Sequence, residues 1–127
     1  MVPLVLPESP PVSPDEAAAW FHATDIGVLP FEPCPFTHNA LPLKVLEYGA
    51  ARKTVLASPL KELQTLQLPH VRLLPLERQA WAQALLDEAH SPTPWEPAWD
   101  AVIERYDWPV LFSGLKERLL QRLEGRA

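Results

Sequence analysis

Apolar and polar positions change period repeatedly along this chain, and proline marks most of the changes. Val2–Leu6 predicts a short edge strand, and Glu8–Pro14 an extended connector, because proline limits strand pairing. Ser13-Pro14-Asp15-Glu16 then predicts a helix start. Ser13 suits the N-cap, Pro14 the first helical position, and Glu16 the reciprocal partner of a capping box. This helix carries Ala17, Trp20 and Phe21 and is expected to end near Ala23-Thr24. Asp25-Ile26-Gly27-Val28-Leu29 is nearly unbroken in apolarity until Pro30, the pattern of a strand buried on both faces. Phe31–Leu41 holds Pro33, Cys34, Pro35, His38 and Asn39 and is expected to be a loop.

A second helix is predicted from about Pro42 through Ala51, with Leu43, Leu46 and Ala50 facing the core. Lys53–Ala57 is another buried strand, closed by Ser58-Pro59, and Lys61–Gln67 a short helix. His70–Leu74 is a third strand, ended by Pro75. Only helices follow, over Glu77–Ala89, about Pro97–Tyr106 and about Pro109–Glu124. Alternating helices and apolar strands predict an α/β domain with a parallel sheet of three to four strands, flanked by helices and followed by a helical C-terminal tail. Residues 1–14 would form the edge strand and connector, and residues 15–127 the domain itself. In such sheets ligands sit beyond the carboxyl ends of the strands. That places a site around Pro30-Phe31, the start of the Pro42 helix and Ser58-Pro59.

Composition narrows the class. The chain has 127 residues, 47% hydrophobic, a length suited to one domain with its own core. Its 16 prolines against 4 glycines invert ordinary usage, yet the apolar content is too high for a disordered linker. So few glycines leave no room for a P-loop or dinucleotide fingerprint. The single cysteine, Cys34, excludes a disulfide scaffold and a cysteine-rich zinc site. A net charge of -5 argues against nucleic acid as a partner. No apolar run is long enough to cross a bilayer, and the N-terminus lacks the basic start of a signal peptide, so a cytoplasmic location is expected.

The stretch from Pro30 to Ala51 carries the best candidate chemistry. A helix start offers free N–H groups and the positive end of its dipole to a phosphate or carboxylate. Lys44 adds a full charge in that first turn. Lys44, Glu47 and Tyr48 share a helical stripe, and a carboxylate one turn into the helix can accept hydrogen bonds from a vicinal diol. An anion at the helix start and a diol at Glu47 together describe a nucleotide. The plain alternative is a surface ion pair between Lys44 and Glu47.

These residues also carry a resemblance. Trp20-Phe21-His22-Ala23-Thr24-Asp25-Ile26-Gly27-Val28-Leu29-Pro30-Phe31 resembles the "a-a-D-v-g-l-l-P-f" segment of GT-B-type glycosyltransferases (group 1, family 4-like). Asn39 through Ser58, containing Pro42-Leu43-Lys44-Val45-Leu46-Glu47-Tyr48-Gly49-Ala50, is similar to their "P-l-K-l-x-E-Y-l-A-a-G-k-P-V-v-a-s" signature. Asp107-Trp108 resembles the "s-W" element before their final helix, so the likeness runs from about residue 15 to residue 120. It implies a partial Rossmann-like sheet and the donor-binding, C-terminal portion of such an enzyme. The co-substrate would be a nucleotide-diphosphate sugar, with no further cofactor and no metal. By resemblance Glu47 would contact the donor ribose, with Leu41, Pro42, Leu43 and Lys44 against the diphosphate and sugar. Asn39 stands where many members carry a glutamate near the sugar. Gly is usual at Arg52 and Pro at Thr54.

The resemblance further implies sugar transfer to a glycan, lipid or protein acceptor, as in polysaccharide biosynthesis. The acceptor domain, the first donor-domain strands and the cations that hold the diphosphate would have to come from elsewhere. The isolated chain is therefore expected to be inactive. The alternative is a non-catalytic α/β binding or interaction module that retains the fold. Elsewhere, His38 is expected to be a solvent-exposed loop residue, Ser58 a turn former before Pro59, and Cys34 an ordinary loop residue. His22, His70 and His90 are too scattered for a metal site. The five tryptophans are expected in the core or under the helical tail. In the last helix Leu115, Leu119, Leu120 and Leu123 form an apolar face, which would pack on a domain or, as a second use, on a membrane surface.

Overall fold

The computed structural model describes residues 10–126. Along the chain it contains α1 (Pro14–Ala23), β1 (Gly27–Leu29), α2 (Pro35–His38), α3 (Lys44–Ala50) and β2 (Val55–Ala57), then α4 (Lys61–Leu66), β3 (Val71–Leu73), α5 (Arg78–His90), α6 (Ala98–Glu104) and α7 (Trp108–Glu124). The edge strand expected over Val2–Leu6 lies outside the described residues. The three strands are parallel in the order β1-β2-β3, with Val55 opposite Gly27 on one side and Val71 on the other. This is the α/β architecture that the alternation predicts.

The strand period of two divides the core. Val55 and Ala57 point to one face of the sheet, where Leu29, Val45, Leu60, Leu63 and Leu68 pack with them. Leu56 points to the other, against Leu74, Trp81 and Ala84. Helices α3 and α4 thus cover one face and α5 the other, so the central strand β2 is buried throughout. The first strand departs from expectation. Val28 is 38% exposed, while Gly27 and Leu29 are buried. Val28 lies on the same face as Leu56, but it is not part of the cluster there, which Leu74, Trp81 and Ala84 form with Leu56 and against which Ile26 packs.

Helix α1 starts as its residues dictate. The Ser13 N–H donates to Glu16 Oε2 at 2.8 Å, and the Glu16 N–H donates to Ser13 Oγ at 3.2 Å. Donation from the Ser13 backbone and then its hydroxyl holds the Glu16 carboxyl below its ordinary pKa. The helix delivers Phe21 edge-on to Tyr48 of α3, with ring centroids 4.8 Å apart. Ser13→Ala removes the cap and is expected to cost about 1 kcal/mol. A chemical denaturation midpoint lowered at unchanged slope reads that loss.

The segment after β1 is not wholly a loop. Pro35 opens the short helix α2, and the Thr37 hydroxyl accepts the Cys34 N–H at 2.9 Å while donating to Glu32 O at 2.7 Å. Three side-chain expectations also need correction. Trp20 and Trp108 are exposed at 68% and 80%, whereas Trp81 enters the core and Trp95 and Trp99 pack on one another. Ser58 does turn the chain, its carbonyl accepting the Leu60 N–H at 2.7 Å, but its side chain is fully buried and its Oγ has no hydrogen-bond partner among the described residues. His38 is half-buried, and its Nδ1 accepts the Lys61 N–H at 3.1 Å.

Candidate functional site

In a parallel sheet joined by helices, the chain leaves each strand at its carboxyl end, and the next helix begins there. The segment Pro30–Leu43 is such an exit from β1, and it sets α3 with its first turn at the expected edge. Two glycines let this helix sit close. A Cβ on Gly27 of β1 would lie 2.7 Å from the Tyr48 ring, and one on Gly49 would lie 2.5 Å from Ile103 Cδ1 of α6. Larger residues at either place would push α3 off the sheet or off α6.

The helix begins later than Pro42, and its core stripe is shifted. Val45 and Gly49 are buried, Leu46 and Tyr48 are half-buried, and Leu43 and Ala50 are exposed. Leu43 is the N-cap, so its side chain precedes the helical face that the period had assigned to it. Tyr48 belongs to the core side, wedged between Gly27 and Phe21, and not to a ligand stripe with Lys44 and Glu47. The start is tight. The N–H groups of Val45 and Leu46 donate to Pro42 O at 3.0 Å and Leu43 O at 2.9 Å. Those are donors that a regular helix start leaves for a ligand.

The other candidates take separate positions. Asn39 caps α2 and spends its Nδ2–H on Pro35 O at 2.7 Å. Leu41 packs on the core. Lys44 Nζ stands 5.6 Å from the centroid of the Phe21 ring, a cation–π contact on the α1 side. Glu47 is exposed and lines an open cavity of about 520 Å³ between α3 and α6, with Leu46, Arg52, Asp100, Ile103 and Tyr106 among its walls. Asn39, Leu41, Pro42, Leu43 and Lys44 do not line it. Among the described residues the ion pair is not Lys44–Glu47 but Arg52–Asp100, with Nε at 3.2 Å and the nearer terminal nitrogen at 2.7 Å.

Arg52, where the resemblance places glycine, finishes the helix. Its φ of 58° is left-handed, and its N–H donates to Gly49 O at 3.0 Å while the Lys53 N–H donates to Tyr48 O at 2.9 Å. That is a Schellman closure, in which glycine is the low-cost residue. The resemblance places glycine there, which was the available signal. Arginine carries the backbone cost, and its two-pronged pair with Asp100 ties the end of α3 to α6. Asp100 Oδ1 also accepts the Trp95 indole N–H at 3.0 Å.

His70 holds the other end of α3. It is 2% exposed, and its Nε2 lies 2.7 Å from Val45 O. Only a donating Nε2–H satisfies a carbonyl, so Nδ1 carries the lone pair, and it has no partner among the described residues. Burial pushes the imidazole pKa below its ordinary 6.5, against the opposing effect of the Val45 hydrogen bond. Below pH 6.5 the unfolded chain therefore binds more protons than the folded one. The His70 contribution is complete above that pH and is lost as pH falls below it toward the depressed pKa of the folded state. The unfolding temperature is expected to drop on acidification from pH 7 to 5. In His70→Gln, whose amide still donates but does not titrate, the drop should be smaller.

No group of three or more His, Cys, Asp or Glu residues among those described is arranged to hold a metal ion. No protein-family model matches the chain, and no solved structure matches it. Over 61 residues, 48% of its length, the chain is 33% identical to the "Putative teichuronic acid biosynthesis glycosyltransferase TuaH" of Bacillus subtilis (strain 168). The aligned part is 15% of that protein, so the chain spans a small fraction of the relative it matches. This similarity supports a glycosyltransferase-like relationship in general, and the parallel α/β sheet fits a Rossmann-like fold.

Proposed function

We propose that this chain is the donor-side, C-terminal portion of a GT-B-type glycosyltransferase that takes a nucleotide-diphosphate sugar. In this proposal the Glu47 carboxylate accepts hydrogen bonds from the two ribose hydroxyls. The chain from Leu41 to Lys44 lies along the diphosphate and sugar, with Asn39 near the sugar. The observation that carries it is Glu47 itself: an exposed carboxylate one turn into α3, lining an open cavity, within the stretch that resembles the family signature.

The proposed chemistry is departure of the nucleoside diphosphate from the anomeric carbon as an acceptor hydroxyl bonds to it and gives up its proton to a base outside this chain. The two phosphates gain negative charge as that bond breaks, and catalysis needs cations aimed at them. Among the candidate residues Lys44 supplies one charge. The Val45 and Leu46 amides are already engaged, so this helix start does little of that work alone. The chain by itself is therefore proposed to bind donor weakly and to transfer nothing. Acceptor recognition and the remaining cations would come from another domain or a partner chain.

Calorimetric titration with UDP and with GDP is the test. Saturable millimolar or tighter binding of either one, lost in Glu47→Ala, supports the proposal. Absence of heat and of any thermal shift at saturating nucleotide argues for a module that keeps the fold without the donor site.

A further inference from the structure

Arg52 holds a conformation that is costly for an arginine. Its φ of 58° is left-handed, where a side chain strains the backbone and glycine does not. The fold then fixes its guanidinium. Nε and the nearer terminal nitrogen donate to the two Asp100 oxygens at 3.2 and 2.7 Å, and the Trp95 indole holds Asp100 in turn. A guanidinium carries five N–H donors in one plane. The pair uses two of them, so three N–H groups on the opposite edge have no partner among the described residues. The result is a rigid, planar set of donors, 66% exposed, in the wall of the cavity between α3 and α6.

The remaining walls decide which part of a ligand suits this cavity. Its volume of about 520 Å³ is that of a small-molecule site, and Leu46, Gly49, Ala50 and Ile103 supply apolar lining. Its charged lining sets Arg52 against Glu47, Asp100, Glu104 and Asp107. A phosphate would be repelled there, and a flat neutral group accommodated. Position along α3 agrees. At a rise of about 1.5 Å per residue, Lys44 precedes Glu47 by roughly 4–5 Å and Arg52 follows it by roughly 7–8 Å. A nucleotide laid with its diphosphate at the start of α3 and its ribose on Glu47 carries its base toward Arg52.

We propose that Arg52 is the nucleobase contact of this site and selects bases with a carbonyl on the exposed edge, guanine and uracil, over adenine and cytosine. This rests on the donor-site reading of Glu47. A guanidinium donates and never accepts. Guanine presents O6 and N7 to it, and uracil O4, whereas adenine and cytosine place an amino donor on the same edge. A donor facing a donor leaves both unpaired. A well-made pair of this kind discriminates by roughly 5- to 150-fold.

Calorimetric titration of the full chain with GDP, UDP, ADP and CDP tests this. GDP and UDP are expected to bind roughly tenfold tighter than ADP and CDP. Arg52→Gly should bring the four affinities to within about twofold of one another. Its melting temperature should stay within about two degrees, because glycine suits the left-handed position and an exposed ion pair contributes little. Arg52→Lys keeps the charge but not the planar fork, so it too should lose the selectivity. Two results overturn the inference while Glu47→Ala still abolishes binding and the donor reading stands. In one, all four diphosphates bind the parent chain equally; in the other, Arg52→Gly weakens all four alike. If no diphosphate binds, the donor reading fails and this inference falls with it.

Discussion

Leu56→Ala is expected to lower the unfolding free energy by about 2–5 kcal/mol, the range for emptying a leucine site in a packed core. Leu56 is 1% exposed at the centre of the middle strand. Its side chain joins the sheet to Leu74, Trp81 and Ala84, so truncation leaves a cavity between β2 and α5. The neighbouring strand backbones are held by their own ladders and cannot easily collapse into it. Against a total stability of roughly 5–15 kcal/mol, the loss is a large fraction of what holds the domain folded. Leu86→Ala on α5 is the contrast, since Leu86 is 54% exposed and should change stability by about 0.5 kcal/mol or less. Urea titrations of both variants at equal slope make the comparison. A Leu56 loss no larger than the Leu86 loss would show that the second face of the sheet is not a packed core.

Glu47→Ala is expected to weaken nucleotide binding about ten- to hundredfold, from roughly 1.5–3 kcal/mol for hydrogen bonds to a charged group. The melting temperature should stay within a degree or two, because Glu47 is exposed and has no ion-pair partner among the described residues. Glu47→Gln keeps one acceptor oxygen and should fall between the parent and the alanine variant. The pattern separates ligand contact from fold. If Glu47→Ala and a distant surface change such as Glu62→Ala bind UDP equally, the carboxylate does not hold the ribose. Lys44→Ala should have a smaller effect on nucleosides than on nucleoside diphosphates, because its charge would act on phosphate alone.

Much of the fold was legible before any coordinates. The Ser13–Glu16 capping box, the Val55–Ala57 run and the stops at Pro30, Pro59 and Pro75 each follow from local chemistry. A proline removes a donor, a serine and a glutamate satisfy each other's backbone, and a strand buried on both faces must be apolar throughout. Local rules failed where a second element set the outcome. Val28 looks like its neighbours in sequence, yet it is exposed because the cluster on that face gathers around Leu56 of β2 and does not include it. Tyr48 sits at the spacing of a ligand stripe, yet Gly27 leaves a hollow that its ring fills.

The residues of the candidate site were legible in part for the same reason. Glu47 could be singled out because its position one turn into a helix after a strand is a local property. The chemistry that frames α3 could not. His70 reaches Val45 across 25 residues, and Arg52 reaches Asp100 across 48, so neither pair has a spacing signature. By itself, then, the sequence determined the alternation, the parallel sheet, the helix caps and the amphipathic order of α7, all set by neighbours along the chain. Tertiary structure alone decided which face of α3 is core, which tryptophans are buried, how both ends of α3 are tied, and that the apolar face of α7 remains exposed. Those outcomes depend on distances between segments far apart in sequence, where burial and pairing are properties of the partner as much as of the residue.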